Sequence, residues 1–126
     1  MNDSPRFLRV EGGEALHAMS LKLSGGRSGL RDRNAFESAV NQPQSLYFYD
    51  QCDLFDIAAV YGFHMAQAQA FVDGNKRTGA ASAIIFLEAN GYPIEGDSML
   101  NYNGLVGIAK GEMDRTDWAE IFREIT

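Results

Sequence analysis

Apolar residues recur at helical spacing almost from end to end of this chain, and that period restricts the fold more than any other feature. Leu54, Ile57, Ala58, Tyr61 and Met65 fall on one stripe of a helix expected over residues 53–70. A second long helix is expected over residues 75–89, stopped at Asn90-Gly91 with Pro93 just beyond. Its Ala80, Ala81, Ala83, Ile84, Ile85, Phe86 and Leu87 make it apolar nearly all round, which predicts the buried central helix. Shorter helices are expected over 13–23, with Leu16, Met19 and Leu23 inward, and over 33–41, capped by Asp32 and stopped before Pro43. Asp97 or Ser98 can start a fifth helix to about residue 110. Asp114 or Thr116 can start a sixth, with Trp118, Ile121, Phe122 and Ile125 on its inner face.

Between these elements, residues 24–29 hold three glycines in six positions and predict a loop. Residues 43–50 carry Leu46, Tyr47, Phe48 and Tyr49, a local strand signal with no second strand to pair with, so a loop or a one-hairpin flap is expected. The whole predicts an all-α fold: a compact bundle of about six helices around a buried central one, as a single domain over residues 1–126.

Composition narrows the function. A net charge of −6 works against nonspecific binding to nucleic acid, whose phosphates favour a basic surface. Cys52 is the only cysteine in the sequence, which excludes an intramolecular disulfide and a zinc site built on several thiolates. Residues 1–5 contain no apolar run of the signal-peptide kind. The longest apolar stretch, around Ala80 to Leu87, is too short to span a bilayer. A cytosolic protein with no membrane partner is expected.

The chemistry concentrates in Phe71-Val72-Asp73-Gly74-Asn75-Lys76-Arg77-Thr78. Here a turn feeds the start of a helix, where free backbone N–H groups and the positive end of the dipole favour an anion. Gly74 allows a positive φ or close approach to a ligand. Lys76 and Arg77 place two cations where they oppose the helix dipole, at a cost of about 0.3–1 kcal/mol each. A phosphate bound there removes the conflict. Asp73, just before, is suited to Mg²⁺, which prefers carboxylate and phosphate oxygens. The alternative is plainer: Lys76 and Arg77 pair with surface acids, and Asp73-Gly74 is only a turn. The Walker spacing of a P-loop is absent.

The segment resembles the Doc version of the Fic motif, His-x-Phe-x-Asp-(Ala/Gly)-Asn-Lys-Arg-Thr. Ala15-Leu16-His17, the glycine-rich loop Gly25 to Gly29, Asp53-Leu54-Phe55 and Ile85-Phe86-Leu87 with Asn90-Gly91-Tyr92 are similar to Doc-type toxins of the Fic/Doc superfamily in order and spacing. The resemblance runs from about Glu14 to Phe122. It implies a compact helical toxin, held in check by a Phd-like antitoxin, that transfers the terminal phosphate of ATP, with Mg²⁺, to a threonine of elongation factor Tu and so blocks translation. Asp73 would coordinate the metal. Asn75, Lys76, Arg77 and the backbone near Gly74 would hold the phosphates, and Phe71 would anchor the loop in the core. Relatives that transfer AMP usually carry a second glycine where Lys76 stands and a second arginine where Ala80 stands. Both differences favour phosphate transfer, although Doc itself has alanine at the position of Gly74.

Two positions depart from the pattern. The catalytic histidine belongs at position 69, where this chain has Gln69, and Doc has an arginine where this chain has Gln67. A glutamine amide has no nitrogen that titrates near neutral pH and cannot act as a general base, a loss of about 10²–10⁴ in rate. His64 lies five residues earlier, about 7.5 Å along the helix and roughly 140° around it, and faces elsewhere. His64 and His17 are both expected to be ordinary packed or surface residues. Gln69 is either a replacement that disables a toxic protein or the mark of a member that binds without catalysing.

Overall fold

A computed structural model describes residues 5–49, 52–93 and 114–125, and the described residues are helical with no strand. The five helices are α1 (Val10–Ser24), α2 (Arg33–Tyr49), α3 (Leu54–Ala68), α4 (Asn75–Ala89) and α5 (Arg115–Ile125). The all-α expectation holds. The helix expected over 97–110 lies outside the described residues, as do the side chains of Leu23 and Ile125. None of the described helices is long and apolar enough to cross a membrane.

Among the described residues the hub is α3 rather than α4. Ile57, Ala58, Ala59, Val60, Tyr61, Gly62, Met65 and Ala66 are buried around its circumference, and it packs on α2, α4 and α5. Ile85 of α4 is exposed, so one side of that helix faces outward despite its apolar sequence. The start of α3 is fixed by a reciprocal capping box, in which Asp53 accepts from the Asp56 N–H at 2.8 Å and Asp56 from the Asp53 N–H at 3.1 Å. Arg123 of α5 bridges both carboxylates. Partial burial pushes the Asp53 carboxyl up, but the Asp56 N–H and the Arg123 guanidinium outweigh it and hold the group below the usual range. Trp118 and Phe122 bury fully beside α3, as their spacing predicts.

Two further expectations fail. Helix α2 does not stop before Pro43 but carries it inside and runs on to Tyr49, so residues 43–49 are neither loop nor hairpin. An interior proline forfeits a helix hydrogen bond and costs about 3 kcal/mol. Here the ring is buried, and the added turns bring Leu46 and Tyr47 onto the core, with Tyr47 edge-on to Phe7 at 5.8 Å. Helix α1 leaves Met19 56% exposed where an inward position was expected, Leu16 is half-buried, and Gly13 and His17 are the buried residues. A Cβ on Gly13 would fall 3.0 Å from the Phe36 ring, so a larger residue at this crossing of α1 and α2 would have to displace that buried ring.

His64, on α3, lines a cavity with Ser38, Gln42 and Gln67 between α2 and α3, away from the motif loop as its helical rotation predicts. Its buried Nε2 has no hydrogen-bond partner. Burial, and then the nearby Arg115, hold its imidazole below the ordinary value. The unfolded chain therefore takes up this proton at higher pH than the folded one. The stability tied to neutral His64 is complete above about pH 6.5 and is lost as pH falls through the lower folded value. Replacing His64 by Gln is expected to reduce the fall in urea midpoint between about pH 7.5 and about pH 5.5. An unchanged fall would assign it to other groups.

Candidate functional site

The motif occupies the turn from α3 into α4. Gln69 ends α3 in the left-handed region, at φ 46°, and is exposed. Phe71 then plunges into the core, stacked on His17 with ring centroids 3.6 Å apart and edge-on to Phe36 at 5.0 Å. It is the anchor its position suggests. Asn75 closes the turn by accepting from the Phe71 N–H and donating to the Phe71 carbonyl, each at 3.0 Å. Its side-chain amide is thereby committed to the loop, which leaves the backbone N–H as the group Asn75 could offer an anion.

The glycine-rich segment 25–29 lies along this turn. Leu30 and Phe71 form a single antiparallel bridge. The Val72 N–H donates to the Gly29 carbonyl at 3.0 Å, while the Arg31 and Asp32 N–H groups both donate to the Ala70 carbonyl. The Arg27 N–H donates to Asp73 Oδ2 at 2.8 Å, and the Arg77 guanidinium reaches the Gly25 carbonyl at 2.9 Å. Gly26 sits at φ 123°, a conformation that disfavours any side chain, and a Cβ there would also press to 3.0 Å on the Leu21 side chain.

Gln69, Asp73, Gly74, Asn75, Lys76 and Arg77 come together around one open cavity of about 250 Å³, completed by Ala66 and Val72. Gly74 caps α4 at φ 82° and offers no side chain to the first-turn N–H groups, and that turn holds no acidic residue. Among the described residues, Lys76 and Arg77 take part in no ion pair, unlike Arg33 and Arg123. Arg77 Nε is buried without a partner. Among the described residues, then, no surface acid satisfies the basic pair, as the plainer alternative requires. Bare amides, the positive helix end and two unpaired cations converge on the cavity, an arrangement that attracts an anion.

His17 is a packed residue, as expected, but what it packs against is the motif turn. It is buried, and its Nε2 lies 2.7 Å from the Asp73 carbonyl oxygen. The signal was the i, i+4, i+8 row Gly13, His17, Leu21 on α1, which the more apolar row through Met19 obscured. Arg31, whose guanidinium donates to the Gln69 carbonyl at 3.1 Å, carried no signal in the sequence. Tyr47, Phe48 and Tyr49 are away from the cavity.

Residues 7–87 match the Fic/DOC family. The chain is 33% identical to the protein kinase doc of Escherichia phage P1 over 112 residues, covering 88% of each. It is 40% identical to the toxin Doc of Mycolicibacterium smegmatis over 75 residues, 58% of each. The helical fold, the motif turn with its buried phenylalanine and a match over most of the chain agree: this protein belongs to the Fic/DOC family.

Proposed function

We propose that the chain is the toxin of a toxin–antitoxin pair, an ATP-dependent phosphotransferase acting on a threonine of elongation factor Tu, left weak or inactive by Gln69. A Phd-like antitoxin would be its second partner. The observation that carries the reading is the start of α4, where neither cap nor acid satisfies the amides and Lys76 and Arg77 stand unpaired beside the cavity. The names of the two relatives, a protein kinase and a toxin, support the reaction class and the biological role.

The residues fit a Mg²⁺-nucleotide. A volume of about 250 Å³ falls below the range of about 300–1,000 Å³ typical of sites that enclose a whole small ligand. It suits a polyphosphate tail with the nucleoside extending outward. Among the described residues no three His, Cys, Asp or Glu side chains cluster as a metal site. Asp73 would hold the ion, with phosphate and water oxygens in a shell that Mg²⁺ favours. Bound Mg²⁺ would neutralise charge on the transferring phosphoryl group. The chain's own part is positional: Lys76, Arg77 and the amides of Gly74 to Lys76 hold the phosphates, and the 250 Å³ cavity leaves position 69 at its rim, where an incoming hydroxyl would lose its proton. Gln69 cannot take that proton.

That same residue favours one rival, a binding module that holds nucleotide without chemistry. Both readings require binding. Titration calorimetry of the chain as it stands is expected to show Mg·ATP binding, weakened about tenfold in Lys76→Ala, the scale of one charge-assisted contact. No binding, with or without Lys76, would leave only a helical scaffold.

A further inference from the structure

His17 is a buried, titratable side chain from α1 that the proposed chemistry does not use, yet it touches the motif at its most adjustable point. Its ring stacks on Phe71 at an interplanar angle of 11°. Because a carbonyl oxygen can only accept, the 2.7 Å contact to Asp73 places the hydrogen on Nε2. The acceptor belongs to the Asp73–Gly74 peptide unit. In a trans peptide the C=O and the following N–H point in opposite directions. Holding the Asp73 oxygen toward α1 therefore turns the Gly74 N–H away from α1, leaving it available to a ligand on the other side.

That peptide needs holding. Gly74 sits at φ 82°, and glycine passes between backbone regions at little cost, so rotation of the unit between Asp73 and Gly74 is opposed by few steric barriers. The neighbouring carbonyls are secured otherwise: Gln69 by Arg31, Ala70 by the Arg31 and Asp32 amides, and Phe71 by Asn75. The Asp73 carbonyl is held by His17. The imidazole edge also lies 3.5 Å from where a Gly74 Cβ would be, so the ring packs directly under the turn.

We propose that His17 is a positioning residue: its Nε2–H fixes the orientation of the Asp73–Gly74 peptide and so presents the Gly74 amide to a bound phosphate. The inference rests on the nucleotide reading above. It deepens that reading by adding a residue from outside the motif that sets its anion-binding geometry without touching the ligand.

The test compares His17→Gln with His17→Met. Both lose the ring stack and have similar reach, but only Gln retains an N–H donor. Mg·ATP affinity is measured by calorimetry, and ¹⁵N relaxation dispersion at the Gly74 amide is measured without ligand. Loss of one neutral hydrogen bond predicts affinity about tenfold weaker in His17→Met than in His17→Gln, with Gln within about threefold of the parent. Exchange broadening at Gly74 is expected in Met alone. Equal affinity in the two variants overturns the proposal, because a purely structural role would weaken both alike. If the parent chain binds no Mg·ATP, the nucleotide reading fails by itself, and dispersion decides His17: a Gly74 amide equally quiet in both variants removes it as a positioning residue. Should His17→Met not fold, His17→Asn takes its place, its amide one methylene short of Asp73.

Discussion

Replacing Gln69 by His is expected to raise phosphoryl transfer by about 10²–10⁴, the usual contribution of a positioned general base, and to bring back growth arrest in cells. The position is prepared for the change. Gln69 holds a left-handed backbone at φ 46°, a conformation that histidine adopts several-fold more readily than most non-glycine residues. The side chain is exposed, so the exchange disturbs no core packing, and the backbone carbonyl keeps its bond from Arg31. Residue 69 already borders the cavity that Asp73, Lys76 and Arg77 line, which puts an imidazole within reach of a hydroxyl entering that rim. The assay uses ATP labelled at the γ or the α phosphate, with elongation factor Tu as acceptor. Label from the γ position alone supports the kinase reading. Transfer of α-labelled AMP would move the chain to the AMP-transferring branch, and binding of ATP with no transfer in Gln69→His would leave a noncatalytic module.

The second large effect concerns the helix crossing that holds the two ends of the loop. A Cβ added to Gly79 of α4 would lie 2.8 Å from the Gly62 carbonyl oxygen of α3 and 3.3 Å from Met65 Cβ. The nearer obstacle is backbone, so it can yield only if the helices separate. Alanine gains up to about 1 kcal/mol of helix propensity over glycine, but overpacking of a tight core costs about 1–3 kcal/mol. With a rigid neighbour the upper part of that range applies. Gly79→Ala is expected to lose about 1–2 kcal/mol of stability, read as a lower urea midpoint. Because α3 ends and α4 begins at the two sides of the site, weaker Mg·ATP binding should accompany it. Gly12→Ala is the control: the nearest atom there is the flexible Leu8 side chain, at 3.2 Å, so propensity should dominate and stability hold or rise. An undiminished midpoint in Gly79→Ala would mean that the crossing has slack.

Much of this was legible beforehand because it is local. The 3.6-residue period of α3, α4 and α5 reflects which face each helix must bury. Helix α4 begins at Asn75 and ends at Ala89, as expected, since Gly74 and Asn90-Gly91 act on backbone dihedrals within a turn. Pro43 misled for the opposite reason. Local sterics argue against a helical proline, and only the packing of Leu46 and Tyr47, from residues distant in sequence, offsets that cost. The exposure of Met19 has the same kind of cause: burial of Gly13 and His17 on α1 depends on Phe36 and on the motif loop, neither of which is near in the chain.

By itself the sequence determined that the described residues are helical, that Asp73, Gly74, Asn75, Lys76 and Arg77 share one turn at a helix start, and that position 69 is Gln, since each depends on residue identity and short-range spacing. Tertiary structure alone decided which helix is central among the described residues, that Lys76 and Arg77 form no ion pair among them, and that His17 lies beneath the motif turn. Those outcomes depend on contacts between segments tens of residues apart, where burial and hydrogen bonding outweigh any local preference.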